Sequence, residues 1–180
     1  MNKLAHATVG LLERKWLKTA TVLAIRVWDP AIFFEIDLHL PDCDMSKCGV
    51  SYLGISSSHH QPAPGKRLVF LGDETTIGHF FALHQLAGKH ARVEGAIVLA
   101  HKHHQHEFSD YFSYLGLQTL DKEGAGRYGE LEKWADELKT DGQDTVFYLA
   151  GYSPAVVRLR KLLKGKGVAG SQIRCQGFWD

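Results

Sequence analysis

The chain has 180 residues, of which 44% are hydrophobic, 11% aromatic and 23% charged. That is enough apolar content for one or two packed domains and too much for a disordered chain. Lys and Arg number 21 against 20 Asp and Glu, a net charge of +1, which excludes a global attraction to nucleic acid or an anionic membrane, and the apolar runs fall far short of the roughly 20 residues that a membrane span needs.

Residues 1–18 read as a short helix or loose arm, with Leu11, Leu12, Trp16 and Leu17 at helical spacing. The stretch after Lys3 is moderately apolar up to Leu12. His6 interrupts it, Glu13-Arg14-Lys15 ends it and no A-x-A site follows, so no secretory signal is expected. Residues 19–27 are rich in β-formers and end at the turn signal Asp29-Pro30. In 32–40, Phe34, Ile36, Leu38 and Leu40 alternate with Glu35, Asp37 and His39, the period of a strand with one wet face. The two strands predict an antiparallel hairpin. Residues 41–65 are rich in Pro, Gly, Ser and His, with a short strand expected at 52–55. A domain boundary is expected near residue 64.

Beyond it the rhythm changes. Apolar runs at 67–71, 92–100, 114–120, 145–150 and 173–178 alternate with amphipathic stretches, of which 77–86, 128–138 and 154–164 read as helices. Short buried runs separated by helices indicate a parallel sheet covered on both faces. Right-handed crossovers predict five strands in the order 3-2-1-4-5, with ligands at their carboxyl ends near the switch point.

Cys43, Cys48 and Cys175 are odd in number, and a C-x4-C spacing lacks a second pair. No disulfide framework and no structural zinc site follow, and buried free thiols fit a cytoplasmic protein.

Four stretches are candidates for chemistry. Gly72-Asp73-Glu74-Thr75-Thr76 joins an apolar strand to a helix, where Asp73 or Thr75 can cap and the first-turn N–H groups can bind an anion. This turn carries neither G-x-G-x-x-G nor G-x-x-x-x-G-K-[ST]. Ala150-Gly151-Tyr152-Ser153-Pro154 is a second such turn, with Ser153 expected as N-cap and Pro154 at the first helical position. The histidines at 101, 103, 104 and 106, with Lys102, follow the second strand of the α/β half. Without an H-E-x-x-H, they read as a solvated loop or a cationic edge that meets phosphate, and no metal site is expected. At the C-terminus, Phe178 and Trp179 either tuck into a core or stack against a planar cofactor. No G-x-S-x-G and no cysteine with a paired base point to hydrolysis.

In this order the pieces resemble the siderophore-interacting protein family of the ferredoxin–NADP reductase superfamily. Leu71-Gly72-Asp73-Glu74-Thr75 is similar to that family's G-D-E-T-A-L turn. Tyr148-Leu149-Ala150-Gly151 with Ala155-Val156-Val157-Arg158-Leu159-Arg160 is similar to its A-G-E-x-x-A-V-R-x-L-R segment, and Gly177-Phe178-Trp179 to its terminal G-Y-W. Arg26-Val27-Trp28-Asp29-Pro30 and Glu35-Ile36-Asp37-Leu38 resemble its late barrel strands.

The resemblance implies a flavin-binding β-barrel, here partial, over residues 1–64 and an NAD(P)-binding α/β domain over 65–180. It implies an NAD(P)H-dependent flavin or ferric-siderophore reductase. The nicotinamide would lie near Gly72, Asp73, Glu74, Thr75, Thr76, Gly151, Tyr152, Ser153 and Trp179. His101 and Lys102 would favour the 2′-phosphate of NADPH over NADH, because no acidic residue ends that strand.

The departures are specific. Thr21-Val22-Leu23-Ala24 stands where the family's R-x-Y-[ST] flavin signature is expected, and Tyr152 replaces the glutamate of A-G-E. Weak FAD binding and a colourless purified protein are therefore expected. The short N-terminal half predicts a barrel completed by a second copy in a homodimer. The alternative is a nucleotide-binding or partner module that has lost tight flavin binding.

Overall fold

The computed structural model describes residues 21–29, 33–39, 62, 65–88, 90–121, 128–140 and 144–180. The chain divides into two compact units, Met1–Asp44 and Met45–Asp180. In the first, β1 (Thr21–Asp29) pairs antiparallel with β2 (Phe33–His39), in a register that sets Ile25 opposite Ile36 and Arg26 opposite Glu35. The predicted hairpin is present. Its pairing is irregular between Val22 and Ala24 and between Val27 and Asp29, where an extra residue on one strand increases local twist. The readings for 1–18 and 52–55, and the barrel beyond this hairpin, lie outside the described residues.

The second unit is a doubly wound α/β domain. Its elements are β3 (Arg67–Asp73), α1 (Ile77–Ala87), β4 (Arg92–Leu99), α2 (Lys102–Phe112), β5 (Leu117–Asp121), α3 (Gly129–Glu137), β6 (Thr145–Tyr152), α4 (Ser153–Gly165) and β7 (Ile173–Trp179). The five strands are all parallel in the order β5-β4-β3-β6-β7, which is the predicted 3-2-1-4-5. The chain steps outward from β3 to β5, then returns to the other side of β3 at β6. The switch point therefore lies between β3 and β6.

Alternation along β3 explains why its sequence is almost continuously apolar. Val69 and Leu71 face a core closed by Leu131 and Ala135 of α3 and by Val156, Leu159 and Leu163 of α4. Leu68 and Phe70 face the opposite core, closed by Phe80 and Leu83 of α1. Phe70 stacks on Phe80 at 4.9 Å and meets Tyr148 edge-on at 5.6 Å. All three rings are at most 2% exposed, and a side chain of this size contributes about 1.5–3 kcal/mol on burial. No helix among the described residues is long and apolar enough to cross a membrane.

Three readings need correction. The histidine stretch is not a loop: residues 102–112 form α2, with His104, Phe108 and Phe112 buried at four-residue spacing on one face. The strand expected from 114 starts at Leu117, because Ser113–Leu115 is a 3₁₀ turn closed by Gly116 at φ +65°. Ser153 is the first residue of α4 rather than its N-cap; Tyr152 takes that place and makes no side-chain cap bond.

Candidate functional site

The carboxyl ends of β3 and β6 are joined by one side chain. Asp73, the last residue of β3, is 1% exposed and accepts four hydrogen bonds. Its Oδ1 accepts from the Thr75 N–H at 3.0 Å and from Thr75 Oγ1 at 2.5 Å, which caps the 3₁₀ turn Glu74–Thr76 ahead of α1. Its Oδ2 accepts from the Tyr152 N–H at 3.0 Å and from the Tyr128 hydroxyl at 3.1 Å. Thr76 Oγ1 donates to the Asp73 carbonyl at 2.6 Å. Asp73 thus holds its own turn with one oxygen and reaches across the switch point with the other. A buried carboxylate is tolerated where donors surround it in this way.

Two glycines make the approach possible. Gly151 has φ +106°, and a Cβ there would collide with the Asp73 carboxylate. Gly72 allows the backbone to pass within a methyl's width of Thr76 and the Ala150 carbonyl. These are the physical requirements behind the Gly-Asp and Ala-Gly pairs seen in the sequence.

A column of three rings stands over this junction. Tyr128 stacks on Tyr152 at 5.3 Å with 16° between the planes, and Tyr152 meets Trp179 at 4.6 Å and 39°. Tyr128 is 3% exposed, whereas Tyr152 and Trp179 are half-buried. Trp179 reaches the column because β7 runs beside β6, with Gly177 opposite Gly151 and Trp179 opposite Tyr152.

The structure therefore brings together Gly72, Asp73, Thr75, Thr76, Gly151, Tyr152 and Trp179. Glu74 lies within the same turn, and Ser153 opens α4 directly after Tyr152. Asp73 and Thr76 are buried, so they build the turn, while Thr75 is exposed. His101 and Lys102 stand apart at the end of β4. Both are exposed, His101 precedes α2 without a side-chain cap bond, and its ring stacks on His103 at 5.4 Å. Among the described residues no group of three or more His, Cys, Asp or Glu has the geometry to hold a metal ion. Sequence reasoning missed Tyr128, taken only as the start of a helix. Its partner Asp73 is 55 positions away, and no local pattern signals such a bond.

Fold and edge together define a doubly wound α/β domain with its turns gathered at a tied switch point. A profile of the siderophore-interacting protein family matches residues 65–180, and the chain belongs to that family. Among solved structures, the siderophore-interacting protein of Acinetobacter baumannii is 15% identical at a TM-score of 0.53. That match covers 94% of this chain and 79% of the other. A siderophore utilization protein from T. fusca is 22% identical (TM-score 0.53), and SipS, the siderophore-interacting protein of Aeromonas hydrophila, is 18% identical (TM-score 0.52). Both cover 66% of this chain, which spans 46% and 52% of their lengths. At these identities the likeness is one of fold. No curated protein matches the chain.

Proposed function

We propose that the carboxyl edge of the sheet holds a nicotinamide dinucleotide, NADPH in preference to NADH, and that the protein acts as a flavin- or ferric-siderophore-reductase-like member of its family. The observation that supports this most is the Asp73 tie, which brings the turns after β3 and β6 together under the Tyr152–Trp179 rings. Such a crevice at a switch point is where open α/β sheets take dinucleotides. The half-buried Trp179 ring suits a planar heterocycle, and exposed Thr75 and half-buried Ser153 flank the approach. His101 and Lys102, exposed at the next strand end, suit the 2′-phosphate. When bound, a nicotinamide supplies a hydride; the chain supplies the plate, the fixed turns and the cationic edge.

The residues fit a tightly held flavin poorly. Thr21 and Leu23 are exposed on β1 and offer neither a guanidinium for a pyrophosphate nor a phenol for a ring. This favours a second reading, a nucleotide-binding or partner module without resident FAD. Exposed Val22, Leu23 and Ile25 on the same strand, at 53%, 66% and 59%, support a homodimer in which a second copy covers β1. A reducing cytoplasm is the setting that the cysteines favour.

One experiment separates the readings. Purified protein, expected to be colourless, is mixed anaerobically with NADPH and a ferric chelate, with and without added FAD, and ferrous iron is followed. Iron reduction that requires protein, NADPH and added flavin supports the reductase. Saturable NADPH binding without reduction supports the nucleotide-binding module, and absence of nucleotide binding overturns both it and the reductase, leaving the partner module. Sedimentation of the same sample as a monomer at high concentration overturns the dimer.

A further inference from the structure

We infer that Tyr128, Tyr152 and Trp179 form a hole-transfer column, which carries the hole left by a one-electron oxidant from the half-buried indole to the buried Tyr128, with Asp73 taking the Tyr128 proton. The inference is independent of nucleotide binding, since it uses only groups within this domain.

Three oxidisable rings stand in series, with centroids 4.6 Å and 5.3 Å apart. Contacts of this length bring the ring edges to van der Waals distance, so each electron step is short. The column is also graded by exposure: Trp179 meets solvent, and Tyr128 is 3% exposed at the far end. An external oxidant therefore meets the indole first.

The terminus is set by proton chemistry. A phenol that loses an electron becomes strongly acidic, and retaining its proton would leave a positive charge in a buried site. Tyr128 has an acceptor in place, because its hydroxyl donates to Asp73 Oδ2 at 3.1 Å. The molecule holds its own contrast in Tyr148, a tyrosine only 2% exposed whose hydroxyl has no hydrogen-bond partner among the described residues. Among the described residues Tyr148 has no acceptor for its proton, and it lies outside the column. Tyr152 offers a ring between the two ends.

An oxidant of the hydroxyl-radical or ferryl class, or a Ru(III) polypyridyl complex in the test, takes one electron and leaves the Trp179 cation radical. An electron then passes through Tyr152 from Tyr128 to Trp179. The Tyr128 O–H bond breaks, and its proton forms a new O–H bond on Asp73 Oδ2. A cation radical and a carboxylate are replaced by a neutral tyrosyl radical and a neutral carboxylic acid, so no net charge is buried.

The test is laser-flash oxidation of the whole chain by photogenerated Ru(III) polypyridyl, with the tryptophanyl and tyrosyl radicals followed by transient absorption. In the unsubstituted protein the tryptophanyl signal is expected to give way to a tyrosyl signal, more slowly in D2O than in H2O. In Tyr128→Phe the tryptophanyl radical is expected to persist about tenfold to a hundredfold longer, on the scale of one charge-assisted hydrogen bond in the barrier. Tyr152→Phe is expected to slow the transfer, and Tyr148→Phe to leave it unchanged. Unchanged kinetics in a folded Tyr128→Phe, or the absence of a solvent isotope effect, overturns the inference. Freeze-quench high-field electron paramagnetic resonance on the unsubstituted protein needs no variant. A hydrogen-bonded tyrosyl radical is expected, and a tryptophanyl radical alone overturns the proposal.

Discussion

Asp73→Asn tests the tie between the two turns with almost no change of shape. The carboxylate accepts from four donors, two on each oxygen. An amide keeps one oxygen and replaces the other by a donor. If the nitrogen takes the Oδ1 place, the Thr75 hydroxyl can turn and accept, but the Thr75 N–H faces another N–H. If it takes the Oδ2 place, the Tyr128 hydroxyl can turn, but the Tyr152 N–H is stranded. Either way one backbone donor loses its partner, at about 1–3 kcal/mol, and the remaining bonds fall from charge-assisted to neutral strength, about 1 kcal/mol each. Relief of the buried charge offsets part of this, leaving a loss of about 2–4 kcal/mol. For a chain of this size that lowers the Tm by about 4–16 °C. Urea unfolding of Asp73→Asn, Tyr128→Phe and the double variant forms a cycle. Tyr128→Phe alone is expected to cost about 1–2 kcal/mol, and little further once Asp73 is Asn, because its partner has changed. Additive losses, or an Asp73→Asn within about 0.5 kcal/mol of the parent, would refute the tie.

Gly151→Ala combines a positive φ with a collision against Asp73, so a loss of about 2–4 kcal/mol by chemical denaturation is expected; Gly78→Ala, in α1 with open space around its Cβ, should gain about 0.5–1 kcal/mol. Burial pushes the Tyr148 phenol up to about 12. The folded state therefore favours the neutral form, and its contribution, whole below the ordinary value near 10, is lost as pH rises from about 10 to about 12, about 2–3 kcal/mol in all. Tyr148→Phe should abolish that alkaline loss and, by removing a hydroxyl with no partner among the described residues, stabilise the domain by about 1 kcal/mol at neutral pH; an unchanged pH profile counts against this. Titration with both nucleotides should show NADPH bound more tightly than NADH, with Lys102→Ala losing about two- to fivefold of the preference, the scale of one exposed charge pair.

What could be read from the sequence was what depends on neighbours along the chain. The buried runs at 67–71 and 145–150 gave their strands because both faces of β3 and β6 are covered, and a strand buried on both sides has to be apolar at nearly every position. The turn after β3 was legible because Asp73 caps its own N–H neighbour two residues on. The misread helix at 102–112 shows the opposite case. Histidines at most of its early positions hid the apolar face, since His104 is buried like an apolar residue and continues the spacing of Phe108 and Phe112. The second oxygen of Asp73 was invisible, because its partners lie 55 and 79 positions away and only the folded sheet brings them within reach.

Position 152 shows why the frame and the chemistry of the site separate. The resembling family has a glutamate in the A-G-E segment, and this chain has Tyr152. The tie to Asp73 uses the N–H of that residue, which any residue but proline supplies, so the frame is indifferent to the exchange. The side chain is another matter. A glutamate would bring a negative charge to the crevice, whereas Tyr152 brings a ring held between Tyr128 and Trp179. The edge thereby loses a charged group and gains a rigid aromatic wall continuous with its terminal indole. The fold follows from the backbone bonds that this chain keeps, while the chemistry proposed for the edge rests on its side chains. The nucleotide proposed for this edge therefore has to be judged by its fit to a ring column and to the exposed His101 and Lys102, not by the motif that led to the site.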